Sequence, residues 1–257
     1  NGARATARAM RALVSSGRSA PPRIQDPYGL RALPQSQGVL LDSLAALRDT
    51  VAAYVNAPSE NPVVLPDGTF AHHGGFHATY LAIACDSVRI AAVQSAQFAM
   101  HRLTYLSEPQ HTGLAAFLGD GTPGASGVMV LEYVAASALG DLRATATPSA
   151  LQTTHLSRGY EDAASFASLA ARQLMTTADR YELLVSCELL AAVRAMRLLD
   201  TEVSGPLRAV LAACRRLPDD LADRDLTGDI EIAREVLPEL ARFVAVDLPV
   251  SSWENDL

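Results

Sequence analysis

Aromatic side chains are scarce in this 257-residue sequence, at 5% of residues against 49% hydrophobic overall. Ala, Leu and Val therefore carry most of the apolar mass. That balance favours helices, because Ala and Leu lose little side-chain freedom there while sheets favour branched and aromatic residues. Cysteine is scarcer still: Cys85, Cys187 and Cys214 stand far apart, with no Cys-x-x-Cys pair. A disulfide scaffold and a thiolate zinc site are both disfavoured by that spacing. No block of basic residues occurs and the net charge is −7, so nucleic acid is not an expected partner. The most apolar run, residues 127–139, is broken by Glu132 and falls short of the roughly 18–20 residues a membrane span needs. No signal-peptide pattern opens the sequence. The charged fraction of 19% is too low for a disordered tail and ample for a soluble surface. These absences leave a soluble, mainly helical protein of a reducing compartment, expected in the cytoplasm.

What is present is helical periodicity. Asn1-Gly2-Ala3, without Met, leads directly into an amphipathic stretch, residues 3–14. There Ala3, Ala7, Met10 and Val14 recur at helical spacing beside a stripe of Arg4, Arg8 and Arg11. A start of this kind suggests a processed product, one half of a split protein, or a fragment. Residues 15–22 read as a proline-containing flexible loop, followed by a helix over 37–55. Apolar residues 63–65 and 69–70 flank Pro66-Asp67-Gly68, the pattern of a small β-hairpin. Further helices are expected at 76–103, 126–144, 161–176, 179–199 and 230–245. Repeats and low-complexity tracts are absent. The expected architecture is all-α, a single domain over 1–257 built as an elongated bundle of long helices with one small hairpin, buried further by oligomerisation.

Four groups of residues invite chemistry. Gly119-Asp120-Gly121-Thr122-Pro123-Gly124 fits G-x-G-x-x-G, but no parallel strand precedes it, so it reads as a mobile loop with no nucleotide to cradle. His72, His73 and His77 surround Gly74-Gly75, but no acid or thiol nearby completes a metal set, and no metal is expected. There Gly74-Gly75 reads as a close backbone approach, with Phe76 and His77 opening the next helix. Gln25, Tyr28 and Arg31 are spaced by three and share a face if helical. Together they form either a polar cluster suited to a carboxylate, which Arg grips bidentately, or a loop held by its own hydrogen bonds. Glu161-Asp162 either complements the dipole of a helix start or places Glu161 in a pocket to take up a proton or pair with a cation.

These pieces, in this order, resemble the C-terminal half of the aromatic amino acid ammonia-lyase and aminomutase family. Gln25-Asp26-Pro27-Tyr28-Gly29-Leu30-Arg31 is similar to the family's Gln-Asp-x-Tyr-Ser-Leu-Arg. Glu60-Asn61-Pro62-Val63 is similar to Asp-Asn-Pro-Leu, and Gly74-Gly75-Phe76-His77-Ala78 to Gly-Asn-Phe-His-Ala. Gly159-Tyr160-Glu161-Asp162 stands where the family has Asn-Gln-Glu-Asp, and residues 223–231 are similar to its closing helices.

The resemblance implies a tetramer-like assembly of long helices whose active sites collect residues from several subunits. It implies 4-methylidene-imidazol-5-one (MIO), formed autocatalytically from an internal Ala-Ser-Gly, as the electrophile that activates the amine of a small amino acid substrate. Arg31 would bind the substrate carboxylate, and the catalytic residues Gln25 and Tyr28 would line the electrophile and amine side. Phe76 would pack on the substrate or on the electrophile. Glu161 would occupy the side-chain selector position, with Tyr160, in place of Gln, reshaping the pocket. Ala125-Ser126-Gly127 has the composition of the electrophile's source, but it resembles a Leu-Asn-Ser-Gly-Phe-Met stretch elsewhere in the family. It reads instead as a helix start capped by Ser126. MIO and the catalytic tyrosine would then come from an N-terminal-half partner chain. The implied activity is an ammonia-lyase for a histidine-like or tyrosine-like substrate; a 2,3-aminomutase and a non-catalytic scaffold are the alternatives.

Overall fold

Most of the long helices that the composition demands pack on one central element. The computed structural model describes residues 1–14, 24–199 and 203–243. Its elements are α1 (Gly2–Leu13), α2 (Tyr28–Arg31), α3 (Leu33–Val55), β1 (Val63–Val64), β2 (Phe70–Ala71), α4 (Thr79–Ser107), α5 (Pro109–Thr112), α6 (Met129–Thr145), α7 (Ala167–Leu198), α8 (Pro206–Ala213) and α9 (Thr227–Ala241). The fold is all-α. Its one sheet among the described residues is the expected antiparallel hairpin, pairing Val63 with Ala71 and Val64 with Phe70.

Helix α4 is central because it is small on most faces. Ala82, Ala96 and Ala99 are fully buried, and such side chains let neighbouring helices approach closely. The main core sits between α4, α6, α7 and α9, with Leu103, Leu131, Leu142, Leu184 and Val236 fully buried in it. A second cluster joins α3 to α4 through Leu40, Val88, Ala91 and Ala92. Helix α1 lies on α3 at a glycine contact. A Cβ on Gly38 would sit 2.3 Å from the Ala3 nitrogen, and one on Gly2 would sit 2.1 Å from the Gly38 carbonyl oxygen. The Gly2 amide donates to Asp42 Oδ1 at 2.9 Å.

One charge is wholly inside. Arg89 has no exposed surface and donates to Asp86, Gln173, the Thr145 and Thr147 carbonyls and Ser149 Oγ. Asp86 in turn accepts the Ala150 N–H at 2.9 Å. Both terminal nitrogens of the guanidinium find acceptors while Nε finds none among the described residues, and the acceptors a buried ion needs pin residues 145–150 across α4 and α7.

Several helix boundaries differ from the local pattern. Residues 161–176 and 179–199 are not two helices: α7 begins at Ala167 and runs unbroken to Leu198. The pair Thr176-Thr177 does not end it, because both hydroxyls bond back to carbonyls four residues earlier, Arg172 and Gln173. Thr177 also meets Thr145 at 3.0 Å. Helix α4 starts at Thr79, not 76, because Ala78 adopts left-handed φ of 56°. Gly75–His77 is a separate 3₁₀ turn. Helix α3 starts four residues early, since a proline in the first turn loses no hydrogen bond there. Helix α6 starts at Met129 with Val128 before it, so Ser126 is not its cap. Helix α9 starts at Thr227. The expected loop at 15–22, and the end of the 230–245 helix beyond 243, lie outside the described residues.

Candidate active site

The first candidate group is built on α2. Pro27 is extended, with ψ of 149°, and its carbonyl accepts the N–H groups of Leu30 and Arg31 at 3.0 and 3.1 Å, closing a single turn. Within it Tyr28 and Arg31 share a face as expected, the guanidinium lying over the phenol ring 5.6 Å from its centroid. Gln25 does not join that face. It precedes the extended proline, outside the helix, and is exposed. Below the turn Tyr28 packs on Phe98 of α4, ring centroids 5.9 Å apart, and Phe98 meets His101 edge-on at 6.3 Å. Gly29 is buried against α4. A Cβ there would stand 3.7 Å from Phe98 O and Arg102 Cγ, ordinary contact distance. The Gly that replaces the family's Ser is thus no steric necessity.

The second group follows the hairpin. The Asn61–Pro62 bond is cis, and Asn61 Oδ1 accepts the His73 N–H at 3.0 Å. His73 Nδ1 accepts the Gly75 N–H at 3.0 Å, while Nε2 contacts the Glu60 carbonyl. That pattern requires the Nε2–H tautomer, a neutral ring used up as a brace between two loops. The close approach expected at Gly74-Gly75 occurs here: a Cβ on Gly75 would lie 2.9 Å from His73 Nδ1. Phe76 stands next to the brace, edge-on to His73 and 52% exposed. Among the described residues no three His, Cys, Asp or Glu side chains are placed to hold a metal.

The third group is not at a helix start. Leu156 and Glu161 form an antiparallel bridge, with Leu156 N–H to Glu161 O at 2.7 Å, closed by Ser157 and Arg158 in left-handed conformations. Helix α7 begins only at Ala167, so no helix dipole explains Glu161-Asp162. Tyr160 is 90% exposed, and Glu161 is exposed beside it. Among the described residues no hydrogen bond, ion pair or ring contact joins the three groups. Each presents its side chains outward.

Ala125-Ser126-Gly127 has a different environment. The Ser126 and Gly127 N–H groups donate to the two oxygens of Asp223 at 2.7 and 2.8 Å, which holds that carboxyl below its ordinary value. Gly127 has φ of 49°, and a Cβ on it would clash with the Phe117 carbonyl at 2.3 Å. The amide that would have to attack the Ala125 carbonyl is thus committed to Asp223. The G-x-G-x-x-G stretch is a set of turns, with Asp120 accepting from the Thr122 N–H and hydroxyl, and no βαβ unit surrounds it.

No helix of the described residues is long and apolar enough to cross a membrane. The sequence marks His73 only as a possible metal ligand and Asp223 only as the start of a closing-helix stretch, so neither the brace nor the tie to Ser126 and Gly127 is announced; the i, i+3 spacing of Phe98 and His101 on a long helix is the one local signal of an aromatic seat.

Residues 1–216 match the aromatic amino acid lyase family. Histidine ammonia-lyase of Geobacillus kaustophilus is 32% identical over 222 residues, 85% of this chain and 44% of that protein. The Symbiobacterium thermophilum enzyme is 32% identical over 253 residues, 96% of this chain and 50% of that one. The crystal structure of histidine ammonia-lyase from Trypanosoma cruzi superposes with a TM-score of 0.87 at 25% identity, over 95% of this chain and 47% of that one. Tyrosine aminomutase from Streptomyces globisporus gives 0.81 at 27%, over 96% and 48%. The chain spans about half the length of the relatives it matches. A family match over residues 1–216, together with relatives 32% identical over 85% and 96% of the chain, shows that the chain belongs to the aromatic amino acid lyase family.

Proposed function

We propose that this chain is the substrate-binding part of an ammonia-lyase acting on a histidine-like or tyrosine-like L-α-amino acid. Ammonia and the β-proton leave, and the α,β-unsaturated acid forms. The observation that carries this reading is the Arg31–Tyr28 pair: a guanidinium and a phenol displayed side by side on a turn seated on α4. Arg31 grips the substrate carboxylate as a planar fork. Tyr28, with Gln25 ahead of it, borders the amine side. Phe76 offers an exposed ring for the substrate to pack against, and Glu161, with Tyr160, selects the side chain.

In this family MIO supplies the electrophile that activates the amine for departure. The outward-facing Gln25, Tyr28 and Phe76 suit a group brought to them from outside this chain, whereas Ala125-Ser126-Gly127, tied to Asp223, does not suit its formation. The electrophile and the catalytic tyrosine are accordingly assigned to an N-terminal-half chain. Assembly into a tetramer-like particle brings the three separate groups into one site. A 2,3-aminomutase is the second reading, favoured by the likeness to tyrosine aminomutase.

Co-expression with an N-terminal half tests the proposal. The assembled enzyme is expected to generate the ultraviolet absorbance of an unsaturated acid from L-histidine or L-tyrosine. A β-amino acid product selects the mutase, and no turnover of L-histidine, L-tyrosine or L-phenylalanine overturns the proposal.

A further inference from the structure

We propose that Arg102, oriented by Glu188, is a positioning residue that fixes the carboxylate-binding turn; the inference rests on the reading of Arg31 above. Arg102 lies on α4 and Glu188 on α7, with side chains only 14% and 19% exposed. Nε meets Oε1 at 2.5 Å and Nη2 meets Oε2 at 2.9 Å, a two-pronged fork that locks the guanidinium plane. The third nitrogen, Nη1, reaches 3.5 Å from the Gly29 carbonyl oxygen. The arginine stem lies beneath the same residue, its Cγ at contact distance from where a Gly29 Cβ would stand.

A one-turn helix cannot satisfy its own carbonyls, so Gly29 O needs a donor from elsewhere, and Arg102 supplies a charged one. Two core helices could be joined by the fork alone. The third contact ties that fork to the turn carrying Tyr28 and Arg31, which are too close along the chain to move separately. The turn also has room to shift. A cavity of about 280 Å³ lies beside it, lined by Leu30, His101, Tyr105, Leu106 and Ala192 together with the ion pair. Packing holds the turn through Tyr28 on Phe98, and on the cavity side the Arg102–Glu188 clamp holds it.

The test uses the enzyme assembled from this chain and its N-terminal half, with Arg102→Lys, which keeps the charge and loses the fork. Hydrogen exchange at amides 29–32 is expected to quicken by about tenfold while the α4 and α7 amides keep their protection. With L-histidine, L-tyrosine or L-phenylalanine, whichever is turned over, KM is expected to rise by roughly tenfold and kcat to change less. In an Arg31→Gln background Arg102→Lys should add nothing, because residues acting through one another are non-additive. Additive effects, unchanged exchange at 29–32, or exchange raised throughout α4 and α7 would each overturn the proposal. If the wild-type enzyme turns over none of the three amino acids, the functional reading fails, and the exchange measurement still decides whether Arg102 anchors the turn.

Discussion

The guanidinium of Arg31 lies over the ring of Tyr28, 5.6 Å from its centroid, and that ring rests on Phe98. The aromatic face sets the direction of the arginine, and the proposed function makes it the partner of the substrate carboxylate. Arg31→Ala should weaken amino acid binding by about 2–4 kcal/mol in the closed site, where the partner charge is left unpaired. Arg31→Lys should recover only part, since a point charge lacks the fork. Substrate titration of the assembled enzyme measures both, and equal turnover by wild type and Arg31→Ala at low substrate concentration refutes the role.

Glu161 stands on a two-residue bridge with Leu156 instead of a helix end, so its carboxylate is free of any dipole duty. An acid facing a substrate side chain favours an imidazole or a phenol, and a phenyl ring would leave it unpaired at a cost of roughly a few kcal/mol. Glu161→Gln should move the ratio of kcat/KM values toward L-phenylalanine. A wild-type enzyme already faster on L-phenylalanine than on L-histidine or L-tyrosine contradicts this.

Two glycines make opposite demands. A Cβ at Gly29 meets only ordinary contacts, so Gly29→Ala should be neutral or stabilise by about 0.4–1 kcal/mol through the unfolded chain. A Cβ at Gly38 meets the backbone of α1, so Gly38→Ala should destabilise by about 1–3 kcal/mol or more. Thermal unfolding of the two variants under one set of conditions gives the comparison; similar shifts in Tm would contradict it.

The Arg89–Asp86 pair is an all-or-none contact. Arg89→Met removes every donor at once and leaves the buried Asp86 carboxylate without its ion partner, still accepting the Ala150 N–H, a loss of about 3–5 kcal/mol. Denaturant titration reads the change, and a loss well under 1 kcal/mol would show that the network is dispensable.

Acid should release the 119–128 segment before the core. The Ser126 and Gly127 N–H groups hold Asp223 below its ordinary value near 3.8. A depressed folded pKa means that the stabilisation is fully present above that ordinary value and is lost as pH falls below it, through the folded value. Amide protection at Ser126 and Gly127 should therefore be high at neutral pH and fall on acidification, and Asp223→Ala should abolish it at every pH. Protection that ignores both the acid and the substitution removes Asp223 from this role.

What the sequence determined by itself was local. Abundant Ala and Leu among few aromatics made the helices, and Asp67-Gly68 turned the one hairpin. The spacing of Tyr28 and Arg31 put both on one face as soon as a single turn formed. Order of motifs was enough to identify the family, because each motif is a short contiguous string. The tertiary structure decided whatever depends on a partner far along the chain. Helix α7 runs through Thr176-Thr177 because their hydroxyls turn back on the helix and Thr177 meets Thr145. Ser126 loses its expected capping role because α6 begins only at Met129 with Val128 before it, and Asp223, 97 residues away, instead ties down the Ser126 and Gly127 amides. The clamp under Gly29 needs Arg102 and Glu188, 86 residues apart, and no periodicity within one helix announces that the two will face each other. Hydrogen bonds and charges act over a few ångströms of space, whereas sequence patterns reach a few residues of chain, and packing alone makes those two distances coincide.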